Sequence, residues 1–101
     1  MDLQQIRDKL VEGVRTNAYA DAIRSLAVFG SYVRGEAGAD SDVDVLVRFT
    51  DDAKIGFFEY VRIQRGLSEA GGQRVDMVTE AALSKYIRDR GLREAQVVYQ
   101  R

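Results

Sequence analysis

Neither cysteine nor histidine occurs in this chain, and proline is absent as well. Without cysteine there is no disulfide and no thiolate nucleophile, and the chain makes no demand on redox compartment. The further lack of histidine excludes Ser-His-Asp and Cys-His catalysis together with the usual zinc sites. An enzyme of this composition must work with carboxylates, and carboxylate-only sites suit hard cations such as magnesium. A surplus of one charge is missing too: 15 Lys and Arg stand against 16 Asp and Glu, interspersed, for a formal net charge of −1. That leaves no basic field of the kind that draws proteins onto nucleic-acid backbones or anionic membranes, so a phosphate-rich ligand must be held by local groups and metal. No apolar stretch is long enough for a signal peptide or a membrane span, and the expected location is the cytoplasm. At 101 residues the chain is expected to form one domain, residues 1–101, with no room for a separate substrate domain.

What is present reads as alternating helices and strands. Leu3, Ile6, Leu10 and Val14 recur at helical spacing and predict an amphipathic first helix, interrupted near Asn17 before Ala22 and Ile23. Leu26 to Phe29 is a short apolar run closed by Gly30, the pattern of an interior strand. Arg34 to Ser41 is small and polar, a loop by composition. Val43, Val45, Val47 and Phe49 then alternate with Asp42, Asp44, Leu46 and Arg48, the period of two of a second strand. Phe57 through Ala70, with Tyr60, Ile63 and Leu67, predicts a helix ending at Gly71-Gly72. Arg74 to Val78 is a third strand. Thr79 is placed to cap a last helix starting at Glu80 and including Leu83, Tyr86 and Ile87. The tail Ala95–Tyr99 fits a short strand, a helix end or a contact surface. With no repeat, linker or low-complexity tract, one α/β domain is the economical reading.

Asp42 and Asp44, two apart on a strand, send both side chains to one face with backbones about 6.6 Å apart. An Asp-x-Asp at a strand start is by itself more often a polar edge or an Asx-turn than a site. Asp44, however, interrupts Val43 and Val45 in the strongest strand signal, where an unpaired buried carboxylate is costly. Asp76 stands similarly between Val75 and Met77. If the third strand pairs beside the second, the three carboxylates cluster, which implies bound metal or raised carboxylate pKa values. Gly30-Ser31 follows a buried strand where a short helix is expected to open, so free backbone N–H groups and a hydroxyl would converge on one spot as a small phosphate cradle. Arg34 is a second candidate for a phosphate oxygen.

Together, Gly30-Ser31-Tyr32-Val33-Arg34-Gly35 and Ser41-Asp42-Val43-Asp44 resemble the signature of the DNA polymerase β-type nucleotidyltransferases, most closely the minimal nucleotidyltransferases of prokaryotes. Ten residues separate Ser31 from Asp42, as that signature requires. The resemblance covers nearly the whole chain and implies a polymerase β-like α+β fold, a small mixed sheet of three or slightly more strands flanked by helices. It also implies roles. Asp42, Asp44 and Asp76 would be catalytic and hold magnesium, two ions being expected, with Asp76 helping to activate the attacking hydroxyl. Gly30, Ser31, Arg34 and Ser41 would contact the nucleotide, and ATP would be the donor. Two ions would stabilise the attacking and leaving oxygens of an in-line displacement at the α-phosphorus. Val33 stands where the family commonly has alanine, and Gly91 interrupts the last helix where an apolar residue is usual.

Such proteins are often encoded beside a small helical HEPN toxin, so the resemblance implies an antitoxin that adds AMP to a tyrosine of that partner. A binding module that neutralises the toxin by contact alone is the second expectation, although the intact Asp42, Asp44, Asp76 and Ser31 argue for retained chemistry. A third is transfer to a small molecule or an RNA end. Enzymes of that kind usually carry a further substrate-binding domain, and the near-neutral charge counts against nucleic acid. The apolar Val97-Val98-Tyr99 is a candidate docking surface for the partner or a piece of the core.

Overall fold

The computed structural model describes residues 2–83 and 92–101. Helix α1, Leu3–Arg15, forms because Ile6, Leu10 and Val14 line one buried face and because Asp2 caps it. The Asp2 carboxylate accepts from the Gln5 N–H, and Gln5 Oε1 accepts from the Asp2 N–H, both at 2.9 Å, a reciprocal capping box. The helix ends two residues before Asn17, whose Oδ1 accepts from the Tyr19 N–H in a local turn. After a 3₁₀ turn at Ala20–Ala22, strand β1 runs Ile23–Phe29, so Ile23 opens the strand. A four-residue helix α2, Ser31–Arg34, follows. Strand β2 is Val43–Phe49, helix α3 is Phe57–Gly71, β3 is Val75–Val78 and β4 is Gln96–Gln100.

The four strands form one mixed sheet in the order β3-β2-β1-β4. β1 is antiparallel to both β2 and β4, whereas β2 and β3 are parallel and joined through α3, the crossover a parallel pair requires. Alternation along the strands divides the sheet into two faces. Leu26 and Val28 of β1, Val43, Val45 and Val47 of β2, and Val75 and Met77 of β3 pack with Ile6, Leu10 and Val14 of α1 and Ile63 and Leu67 of α3 in the main core. Ala27 and Leu46 point the other way and form a smaller cluster with Leu83, joined by Phe29, Val78, Leu92 and Ala95. Asp44 and Asp76, two residues from Leu46 and Val78 respectively, belong to this second face.

Helix α3 also covers the outer edge of β3. Ser68 Oγ accepts from the Val75 N–H at 3.0 Å, Gln64 Oε1 accepts from the Met77 N–H at 2.9 Å, and the Tyr60 hydroxyl donates to the Met77 carbonyl. These bonds satisfy groups that an edge strand otherwise leaves open to pairing with another chain. At the opposite edge, β4 carries a bulge: Leu26 and Ala27 face Tyr99 and Val97, so Val98 is the extra residue.

The C-terminal tail is therefore a strand, with Val98 buried and Val97 half exposed. Arg74 lies just outside β3, its carbonyl accepting from the Val43 N–H at 2.8 Å. Thr79 does cap a turn, its Oγ1 accepting from the Ala82 N–H at 3.2 Å. The rest of the expected last helix, including Tyr86, Ile87 and Gly91, lies outside the described residues. No helix among the described residues is long and apolar enough to cross a membrane.

Candidate active site

The loop after β1 is built around one residue that only glycine can be. Gly30 has φ 77° and ψ −147°, a region closed to side chains, and a Cβ there would collide with Asp44 Oδ2. The backbone therefore passes directly against that carboxylate. Tyr32, buried in the main core, anchors α2, and the left-handed Gly35 ends it by donating its N–H to the Ser31 carbonyl. Val33 and Arg34 donate to the Gly30 carbonyl, which leaves the N–H groups of Ser31 and Tyr32 at the open first turn, one residue from the contact with Asp44.

Asp44 lies in the middle of this arrangement. It pairs with Phe29 across β1 and with Asp76 across β3. Parallel neighbours directly in register lie about 4.8 Å apart, so the two carboxylates stand side by side on the second face. Asp44 is half-buried, while Asp76 and Asp42 are exposed. Burial raises the Asp44 pKa above the ordinary carboxylate range, and the negative charges of Asp76 and then Asp42 raise it further, against a lowering influence from Arg34. Asp42 lies just before β2, and its Oδ2 is 4.0 Å from Arg74 Nε.

Among the described residues, no group of three acidic side chains is drawn together tightly enough to hold a metal ion unaided. The repulsion expected among these like charges acts on Asp44, whose pKa Asp76 and Asp42 both raise. The donor set still fits magnesium in kind. That ion is commonly held by one or two carboxylates, with waters and substrate phosphates completing its shell.

Arg34 is engaged by protein groups. Its Nη1 donates to Glu94 Oε1 at 2.9 Å and to Oε2 at 3.3 Å, and its Nε donates to Glu36 Oε2 at 3.3 Å. Those hydrogen bonds, Glu36 first, raise the arginine pKa and keep it charged. Glu94 also bears on Asp44, raising its pKa through charge. Glu94 carries no local signal in the sequence, because its partner lies 60 positions away. Ser41 serves the loop: its Oγ accepts from the Gly38 N–H at 2.8 Å, while its own N–H donates to the Gly38 carbonyl. The structure thus gathers Gly30, Ser31, Asp44 and Asp76 at one spot, with Asp42 beside it, and gives Arg34 and Ser41 partners within the protein.

Comparison with known proteins gives this arrangement a context. A family model described as the nucleotidyltransferase domain matches residues 7–98. The protein adenylyltransferase MntA of Thermococcus cleftensis is 43% identical over 77 residues, covering 76% of this chain and 74% of that protein. A solved structure, provisionally assigned as a minimal nucleotidyltransferase, superposes with a TM-score of 0.72 at 38% identity, covering 95% of each chain. A complex of tri-AMPylated HEPN toxin with MNT antitoxin from Shewanella oneidensis contains a chain of the same fold. Its TM-score is 0.66 at 17% identity, covering 97% of this chain and 72% of that one.

Proposed function

Since this chain belongs to the nucleotidyltransferase domain family, we propose that it transfers AMP from ATP, with magnesium, onto a tyrosine of a HEPN-type toxin and thereby acts as the antitoxin. The observation that carries the reading is the side-by-side placement of Asp44 and Asp76, with Gly30 packed against the Asp44 carboxylate. Support for a protein acceptor comes from the name of the Thermococcus relative, a protein adenylyltransferase, and from the AMPylated toxin in the Shewanella complex.

In this reading Asp42, Asp44 and Asp76 hold the metal. Magnesium bound there supplies charge stabilisation to the attacking and leaving oxygens. The N–H groups and hydroxyl of the Gly30-Ser31 turn hold the triphosphate, being donors aimed where negative charge is wanted. The tyrosine oxygen forms a bond to the α-phosphorus, the bond from that phosphorus to the β-phosphate bridging oxygen breaks, and pyrophosphate leaves. Asp76, the more exposed of the in-register pair, takes the phenolic proton and passes it to solvent. Arg34 acts on the nucleotide only through its long-range charge while Glu36 and Glu94 hold it, and Ser41 acts by fixing the loop.

The test combines the protein with ATP, magnesium and the product of the neighbouring toxin gene, and follows the toxin's mass. The expected result is a gain of one or more AMP units on tyrosine, lost with Asp42→Asn or Asp44→Asn, each of which removes a metal-holding charge at nearly constant size. Protection of cells by both mutants with no mass shift in wild type would replace transfer with neutralisation by contact.

A further inference from the structure

Helix α3 is amphipathic in an unusual way, because its solvent side is also apolar at one end. Phe57 and Phe58 are 76% and 74% exposed, and their rings pack edge to face with centroids 5.7 Å apart. Together they expose on the order of 300 Å² of aromatic surface, as much as the largest apolar patch of a typical monomer. Val61, Arg62 and Arg65 continue the stripe, and the five residues line an open groove of about 360 Å³. Neither arginine has an ion pair or side-chain hydrogen bond among the described residues. The helix meets its own domain through Tyr60, Ile63 and Leu67, so nothing in the main core calls for this outer stripe.

We propose that two copies of this chain pair through these outer faces of α3, antiparallel about Val61. The complementarity is written in the spacing. Phe57 lies four residues before Val61 and Arg65 four residues after it. A two-fold axis at Val61 therefore sets each copy's Phe57 against Arg65 of the other copy, twice per dimer, with Val61 on Val61 at the centre. An arginine over an aromatic face is attracted by the ring quadrupole, and more strongly once water is excluded. Phe58 widens the apolar contact, and the stem of Arg62 covers the valines while its charge stays in water. A parallel arrangement would instead oppose Arg65 to Arg65. Single-stranded nucleic acid also stacks on aromatic rings beside arginines, but two arginines on a chain of net charge −1 supply little phosphate neutralisation.

The pairing leaves the chemistry free. Asp44 and Asp76 lie on the sheet face away from α1 and α3, so both sites of the dimer would open outward. The proposal does not depend on what that site catalyses.

Sedimentation equilibrium of the intact chain over a hundredfold concentration range tests it. The weight-average mass is expected to rise from 11.3 kDa toward twice that value. The double variant Phe57→Ser, Phe58→Ser should stay at the monomer mass, with a melting temperature equal to wild type's at concentrations where both are monomers, because both rings are then in solvent. Arg65→Glu should weaken association by about tenfold through loss of two cation–π contacts. The chain has no cysteine, so Val61→Cys introduces the only one. Its two copies meet on the axis and should form a disulfide-linked dimer on mild oxidation, much faster than Val97→Cys on the exposed β4. A wild-type mass fixed at 11.3 kDa across the range would overturn the proposal, as would equal crosslinking of the two cysteine variants.

Discussion

At the scale of single residues, Gly30 and Asp44 depend on each other. Gly30 satisfies two demands at once, a backbone conformation closed to side chains and room for the Asp44 carboxylate. Gly30→Ala violates both, and we expect a loss of roughly 1–3 kcal/mol in stability with loss of transfer activity, read by urea denaturation and a nucleotidyl-transfer assay. For Asp44 the expected effect has a definite sign. Its folded-state pKa is raised, by burial first and then by Asp76 and Asp42, so the folded chain holds this proton more tightly than the unfolded chain does. Its contribution to stability is therefore fully present below the unfolded carboxylate pKa and is lost as pH rises through the raised folded value. Melting temperatures of metal-free wild type and Asp44→Asn, measured from about pH 4 to about pH 8, should converge in acid. They should separate toward neutrality, with the mutant more stable; parallel curves would remove the electrostatic account. The candidate carboxylates, Gly30 and Ser31 stand out in the sequence, because an aspartate inside a valine run and a glycine after a buried strand are local anomalies.

At the scale of elements, two helix-interior glycines look alike in sequence and should behave oppositely. Either replaced by alanine would gain about 1 kcal/mol of helix propensity. At Gly13 of α1, however, the added Cβ would lie 2.8 Å from Ala70 Cβ on α3 and 3.3 Å from Leu67 Cδ2. Ala70 Cβ is fixed directly to the backbone of the packed neighbour and cannot rotate away, so the helices must separate. Gly13→Ala should destabilise, by about 1–3 kcal/mol, the range for overpacking. At Gly66 the same methyl meets only the Asn17 Nδ2 end at 2.9 Å, which a side-chain rotation relieves, so Gly66→Ala should be neutral to stabilising. Urea denaturation of the two variants separates the signs. Helices α1 and α3 were readable from periodicity. Their mutual closeness was not, since a glycine reads as a weak helix residue until the neighbour that needs its space is known.

At the scale of the whole molecule, the C-terminal segment is tied back to the site. Arg34 at the end of α2 holds Glu94, just before β4, while β4 itself completes the sheet beside β1. Glu94→Gln should therefore lower the melting temperature and raise the nucleotide KM severalfold with a smaller change in kcat, because α2 loses the tie that fixes its turn against Asp44. Glu94→Asp, which keeps the charge, should recover part of both effects in the same assays. An unchanged KM beside a lowered melting temperature would make the pair a structural tie only.

The family and most of the helices and strands could be read from the chain before any fold was known. The absences of cysteine and histidine close the thiolate and imidazole routes, period-two and helical patterns follow from which residues avoid water, and Gly-Ser and Asp-x-Asp at their spacing pointed to the family. It took the folded chain to show that β3 lies parallel beside β2, which sets Asp76 opposite Asp44 at a separation of 32 residues. The fold also turned the ambiguous Val97-Val98-Tyr99 into a bulged edge strand with one valine buried and one exposed, and gave Arg34 a partner 60 positions away in Glu94. These outcomes share one physical reason. Local periodicity records whether a side chain faces water, while strand neighbours, ion pairs and close helix approaches depend on residues far apart in sequence, which carry no mark of one another until the chain has folded.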